Sequence, residues 1–123
     1  MTPLCAGVDI IEITRIRGTI DRWGERFLHR VYTDEEIRLC RNRSGSLATR
    51  FAAKEAVMKA LGTGVRGVGW KEIEILSEPS GKPTVTLHGK AREKASELGL
   101  DKLAISLSDS RENAIAFVVG ETR

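Results

Sequence analysis

Two pairs of alternating runs constrain the fold of this chain more than any other feature. KEIEILS (71–77) and TVTLH (84–88) alternate apolar with polar residues, and EPSGKP turns the chain between them. KLAISLS (102–108) and NAIAFVV (113–119) repeat the arrangement around the short connection DSRE. Runs joined so closely pair antiparallel, because a parallel pair needs a crossover of roughly a dozen residues or more. A fifth strand reads from LCAGVDIIEI (4–13). Leu4, Ala6, Val8 and Ile10 share one of its faces; Cys5, Gly7, Asp9 and Ile11 share the other.

Helices fill the intervals. Ile13, Ile16, Ile20, Trp23, Phe27 and Val31 form an apolar stripe for a helix over about 14–31, weakened at Gly18 and Gly24. TDEE (33–36) is a capping box opening a short helix that carries Ile37 and Cys40. Ser46 is placed to cap the next helix, which ends at Gly62 and turns Ala53, Ala56, Val57, Ala60 and Leu61 to the core. GTGVRGVG (62–69) is a glycine-rich loop, and KAREKASEL (90–98) a helix stopped by Gly99. Hairpins mixed with helices, rather than repeated strand–helix units, give the α+β class. The 123 residues show no repeat or linker and read as one domain, 1–123.

Composition narrows the function classes. At 41% hydrophobic the chain can bury a core, and a net charge of +3 permits an acidic partner without demanding one. Aromatics at 5% and no stacking motif argue against an RNA-binding module. The longest apolar run, AIAFVV, is far short of a membrane span, and MTPLCAG carries no basic region of a signal peptide. Cys5 and Cys40 lie far apart and read as reduced thiols of a cytoplasmic protein. His29 and His88 stand at no metal-finger spacing.

Two acids sit in unexpected places. Asp9 interrupts a strand, where Asp is depleted. Glu55 in RFAAKEAVMKAL (50–61) has Phe51, Ala52 and Met58 at helical spacing, with Lys59 as its one charged neighbour. Glu55 and Lys59 read equally as an ordinary i,i+4 pair, and Asp9 as the cap of a turn at the strand end. Together, two carboxylates from separate elements can hold one Mg²⁺, with a lysine meeting the phosphate charge left over. Arg15, Arg22, Arg26 and Arg30 form a helical stripe beside Trp23 and Phe27. That pattern suits either docking of an acidic partner helix or a solvated face. The glycine-rich loop matches no phosphate-loop pattern.

GVDIIEITRI, RFLHRVYTDEE, RFAAKEAVMKALGTG and the late GKP…ISLSDSRENAIAFVV together resemble holo-acyl-carrier-protein synthase, the short bacterial 4′-phosphopantetheinyl transferase family. The resemblance implies a small α+β domain assembling as a homotrimer, with active sites in clefts between subunits. It implies transfer of the 4′-phosphopantetheine arm of coenzyme A to a serine of apo-acyl carrier protein, a step serving fatty-acid biosynthesis. By the matching positions, Asp9 and Glu55 would bind Mg²⁺, and Lys59 would face the pyrophosphate. Arg50, Lys54, Gly62, Thr63 and Gly64 would contact coenzyme A, with Ser108 and Ser110 near its nucleotide end. Arg15, Arg22, Arg26 and Phe27 would receive the carrier protein. The general base stays open between a metal-bound water and a site carboxylate.

One position departs from the family pattern. Asp109 stands where the family commonly carries histidine, so that histidine's role does not transfer. Asp109 reads either as a turn residue facing away from phosphate or as the mark of a catalytically weakened relative that keeps carrier-protein docking.

Overall fold

The chain was analysed as a computed structural model that describes residues 4–122, without the side chains of Val65, Arg66 and Asp101. The termini of the domain expected over 1–123 therefore lie outside the described residues. The elements run β1 (Leu4–Glu12), α1 (Ile13–Trp23), α2 (Glu25–Val31), α3 (Asp34–Cys40), α4 (Ser44–Leu61) and α5 (Gly64–Gly67). A 3₁₀ turn (Trp70–Glu72), β2 (Ile73–Ser77), β3 (Pro83–Leu87), α6 (Gly89–Glu97), β4 (Leu100–Asp109) and β5 (Asn113–Thr122) complete the order. β1, β5 and β4 form one antiparallel sheet with β5 in the centre; β2 and β3 form a separate hairpin. This is the α+β arrangement expected from the hairpin signals.

α4 lies across the inner face of the three-stranded sheet. Leu47, Ala52, Ala53, Ala56, Val57, Met58 and Leu61 of the helix pack against Ile11, Ala114, Ala116 and Val118. Its small residues let the strands come close. The closest approach is at Gly7 of β1, where an added Cβ would stand 2.0 Å from the Ala56 carbonyl oxygen. Only a residue without a side chain fits there. Gly7→Ala should therefore cost about 3 kcal/mol through overpacking, read as a lowered denaturation midpoint at unchanged m-value.

Several local expectations shift. The long helix expected over 14–31 breaks at Gly24, whose φ of 55° only glycine adopts freely, while Gly18 lies inside α1. The break carries Trp23 out of the apolar stripe to 49% exposure. α4 begins two residues before Ser46, which lies inside the helix; its N-cap, Arg43, offers no side-chain cap. The capping box at Thr33 and Glu36 forms as read. The glycine-rich loop contains the four-residue α5, and the strand expected from 71 starts at Ile73 because the 3₁₀ turn precedes it. β1 turns its wholly apolar face, Leu4, Ala6, Val8 and Ile10, away from α4. Cys5 and Cys40 are free thiols, and burial pushes Cys40 up to about 11.

Candidate active site

The contact at Gly7 also places the chemistry. β1 pressed onto the turn of α4 at Ala56 brings Asp9, two residues on, to Glu55 and Lys59. Asp9 and Glu55 line one cavity of 230 Å³ together with Ile11, Arg15, Phe27 and Phe51. Lys59 Nζ donates to Asp9 Oδ1 at 3.1 Å and to the Val8 carbonyl at 2.9 Å, fifty residues away or more. The ion pair that Lys59 makes is thus with Asp9, not with Glu55 four residues earlier. Asp9 faces inward within the strand and caps no turn.

Electrostatics set the two acids of this cavity against each other. Burial raises the Glu55 pKa, and the neighbouring Asp9 carboxylate raises it further; Lys59 and Arg15 act in the opposite direction. A cation between the two acids would relieve that repulsion. No group of three or more His, Cys, Asp or Glu side chains suited to a metal occurs among the described residues. The donor set is therefore two carboxylates. That fits Mg²⁺, which keeps several waters and takes phosphate oxygens, and does not fit Zn²⁺, which wants three or four protein ligands.

The other expected site residues divide. Gly62, Thr63 and Gly64 follow Lys59 at the end of α4, where the Gly62 and Thr63 N–H groups bond the Lys59 and Met58 carbonyls. Arg50 is half-buried, donating Nη2 to Ser77 Oγ at 3.0 Å and Nη1 to Thr49 Oγ1 at 3.2 Å. Its Nε is buried without a partner. Ser108 lies exposed on the sheet. Ser110 Oγ accepts the Asn113 and Glu112 N–H groups inside the β4–β5 turn. Neither serine lines the acidic cavity.

Lys54, expected to contact coenzyme A, instead turns into the core and lines neither cavity. Its side chain is fully buried beside that of Glu36. Its ammonium donates to Glu36 Oε1 at 2.8 Å, to the Trp70 carbonyl at 3.0 Å and to the Ile73 carbonyl at 2.5 Å. Three donors meet three acceptors, so none is left for a phosphate. Burial lowers the Lys54 pKa, and Glu36 counteracts that shift.

Asp109 turns toward the start of α4. A Cβ added to Gly45 would lie 3.1 Å from Asp109 Oδ2. The carboxylate thus sits at the positive end of a helix that its own N-cap residue leaves uncapped. Asp109, the last residue of β4, thus faces the start of α4.

An arginine-rich cavity escaped the sequence reading. Arg38, Arg41 and Arg43 line a 430 Å³ hollow with Glu35 and Ser77, the residue that Arg50 also binds. Arg41 and Asn42 both hold left-handed φ, 49° and 59°, and form the bend that swings these side chains together. The signal was present as three arginines within RLCRNR (38–43).

The basic stripe is split by the bend at Gly24. Arg15 lines the acidic cavity, as does Phe27. The Arg22 and Arg26 guanidiniums flank the Trp23 ring at 5.2 and 6.0 Å. Arg26, Phe27, His29 and Arg30 join Trp23 around an open 690 Å³ hollow.

Known proteins match this chain over nearly its whole length. The sequence pattern of the 4′-phosphopantetheinyl transferase superfamily matches residues 5–118. A holo-[acyl-carrier-protein] synthase of Herpetosiphon aurantiacus is 50% identical over 124 residues, spanning 95% of this chain and 98% of that protein. One from Dehalococcoides mccartyi is 52% identical over 118 residues, spanning 96% and 98%. The crystal structure of Helicobacter pylori holo-[acyl-carrier-protein] synthase in complex with coenzyme A has a TM-score of 0.86 at 36% identity, covering 94% of this chain and 98% of that one. With half its residues shared by full-length relatives and its fold close to a solved relative's at a TM-score of 0.86, the chain belongs to the 4′-phosphopantetheinyl transferase superfamily.

Proposed function

We propose that this chain is a holo-[acyl-carrier-protein] synthase. It transfers the 4′-phosphopantetheine arm of coenzyme A to a serine of apo-acyl carrier protein and releases adenosine 3′,5′-bisphosphate. The observation that carries this reading is the meeting of Asp9 and Glu55 in one cavity from distant parts of the chain, with Lys59 bonded to Asp9. The serine hydroxyl gives its proton to a base, a water or a carboxylate of the site, and its oxygen forms a bond to the phosphorus bearing pantetheine. The bond from that phosphorus to the bridging oxygen breaks, and the nucleotide leaves with the electron pair. Such in-line transfer depends on positioning and charge neutralisation more than on covalent catalysis by the protein.

Asp9 and Glu55 are the residues that would hold Mg²⁺. Bound there, the ion would neutralise the diphosphate oxygens. Lys59, more than half exposed at the cavity edge, brings a second positive charge to the leaving phosphate. Arg50 and the hollow of Arg38, Arg41 and Arg43 suit the nucleotide phosphates, where arginine forks bind bidentately. Arg43 and Glu55 lie roughly 18 Å apart along α4 at 1.5 Å per residue. No residue lines both cavities.

The chain's outward apolar sheet face supports the homotrimer. Leu4 (70%), Val8 (49%), Ile10 (62%), Ile115 (39%) and Phe117 (48%) stand exposed together. A contiguous apolar patch of this kind marks an interface. Association there would let the arginine hollow of one subunit complete the acidic cavity of the next. The basic hollow around Trp23, with Arg22, Arg26 and Phe27, suits the acidic carrier protein. Arg22→Glu should raise the KM for carrier protein about tenfold and leave that for coenzyme A within about twofold, as steady-state kinetics would show. No helix among the described residues is long and apolar enough to cross a membrane, which agrees with a cytoplasmic site of action.

Mass spectrometry of apo-acyl carrier protein tests the function itself. Incubation with the chain, coenzyme A and Mg²⁺ should add one phosphopantetheine, and a chelator should prevent it. An unchanged carrier protein under the complete conditions would refute the reading.

A further inference from the structure

The buried ion pair of Lys54 and Glu36 lies one residue from Glu55, yet it touches nothing in either cavity. Both side chains are fully buried, and each of their charged polar atoms is hydrogen-bonded. Glu36 Oε1 accepts the Thr33 N–H as well as Lys54, and Oε2 accepts the Ile75 N–H at 2.8 Å. From α4, Lys54 therefore reaches the start of α3 and, through the Trp70 and Ile73 carbonyls, both ends of the 3₁₀ turn that closes the glycine-rich loop.

Trp70 is where this network meets the cavity. Its ring stacks on Phe51 with centroids 4.9 Å apart and planes at 22°. Phe51 also packs against Phe27 at 6.3 Å, and Phe27 stands edge-on to Tyr32 at 6.0 Å. Tyr32 is anchored in turn by its hydroxyl, which donates to the Leu47 carbonyl at 2.6 Å. Phe27 and Phe51 are walls of the cavity that holds Asp9 and Glu55. The wall is thus braced from behind at two points: Tyr32 through Leu47, and Trp70 through Lys54.

We propose that Lys54 is a positioning residue for phosphopantetheine transfer: it pins the 3₁₀ turn to α4, and through the Trp70–Phe51 stack it fixes the cavity wall beside Glu55. This inference rests on the function proposed above. Lysine suits the task because its three donors radiate to three separate elements, which a planar guanidinium cannot do. Displacements of about 1 Å at a cavity wall cost of the order of 10²-fold in rate, so loosening Trp70 is felt at the reacting atoms.

The test uses the full chain and two readouts. Lys54→Met alone leaves Glu36 buried and unpaired, so the working variant is Lys54→Met/Glu36→Gln, compared with Trp70→Ala and Trp70→Phe. Folding and assembly are checked by circular dichroism and sedimentation. In the transfer assay the double variant and Trp70→Ala should each lose about tenfold or more in kcat/KM, while Trp70→Phe keeps the stack and stays near wild type. Combining Lys54→Met/Glu36→Gln with Trp70→Ala should add little further loss, because both act through one wall. Acrylamide quenching of Trp70 on a Trp23→Phe background should rise in the Lys54→Met/Glu36→Gln variant. This optical readout needs no catalysis, so it stands even if the wild-type chain transfers nothing and the functional reading fails. Wild-type quenching in that variant, losses that multiply, or a fully active Trp70→Ala would each overturn the proposal. The last of these holds whether or not the Lys54 variants fold.

Discussion

Glu55→Gln is expected to abolish transfer and at the same time make the metal-free chain more stable. The two effects share one cause. Glu55 is held partly out of water beside another carboxylate, so its ionised form is disfavoured in the folded chain. Removing that charge removes one of the two proposed metal ligands and should lower kcat/KM by about 10³-fold or more. It also removes a partly buried charge and its repulsion with Asp9, which should raise Tm, by an amount that solvent at this half-open cavity keeps small.

The sign of the pH dependence follows from the direction of the shift. With its folded pKa raised above the ordinary 4.5, the folded chain binds the Glu55 proton more tightly than the unfolded chain does. Stability from this group is therefore lost as pH rises through the interval between the two values. The Tm advantage of Glu55→Gln should be absent at lower pH, where both states are protonated. It should open as pH climbs through that interval. Differential scanning calorimetry across pH reads this directly, and an advantage that grows toward acid would have the wrong sign.

The second large effect concerns assembly. Val8 and Phe117 are direct partners across β1 and β5, and both face outward. Val8→Arg/Phe117→Arg should leave the isolated fold intact, because neither side chain packs into the core. Buried in an interface without partners, the two charges would cost roughly 3–5 kcal/mol each. On the proposed trimer, sedimentation should then show monomer for the double variant and trimer for the wild type, and transfer should fall about 100-fold, because the proposed neighbour no longer reaches the acidic cavity. A trimeric, active double variant would place the subunit contact elsewhere.

The legible parts of the fold were those written in local pattern. Both hairpins announced themselves through alternation and turn residues, and the capping box at Thr33 formed as its spacing required. Asp9 and Glu55 stood out as acids among apolar neighbours, and they do line one cavity. What escaped depended on tertiary partners. Lys54 resembled its basic neighbour Arg50 in spacing, but Glu36, eighteen residues earlier, takes it into the core. Gly18 and Gly24 are equal in helix propensity, and only the chain's path gives one of them a positive φ. The arginine hollow required two successive left-handed residues, Arg41 and Asn42, which spacing does not reveal. The strand at 4–12 showed two faces, one of them wholly apolar. That face turns outward because Gly7 on the other must admit the backbone of α4.

The most direct test is metal binding itself. Mn²⁺, a spectroscopic substitute for Mg²⁺, can be titrated into the chain in the presence of coenzyme A and followed by electron paramagnetic resonance. The expected result is one ion bound per chain, lost in Asp9→Asn and lost again in Glu55→Gln, with both variants folded. Binding that survives either substitution undiminished would contradict the claim that these two acids, brought together by the contact of β1 with α4, share the ion.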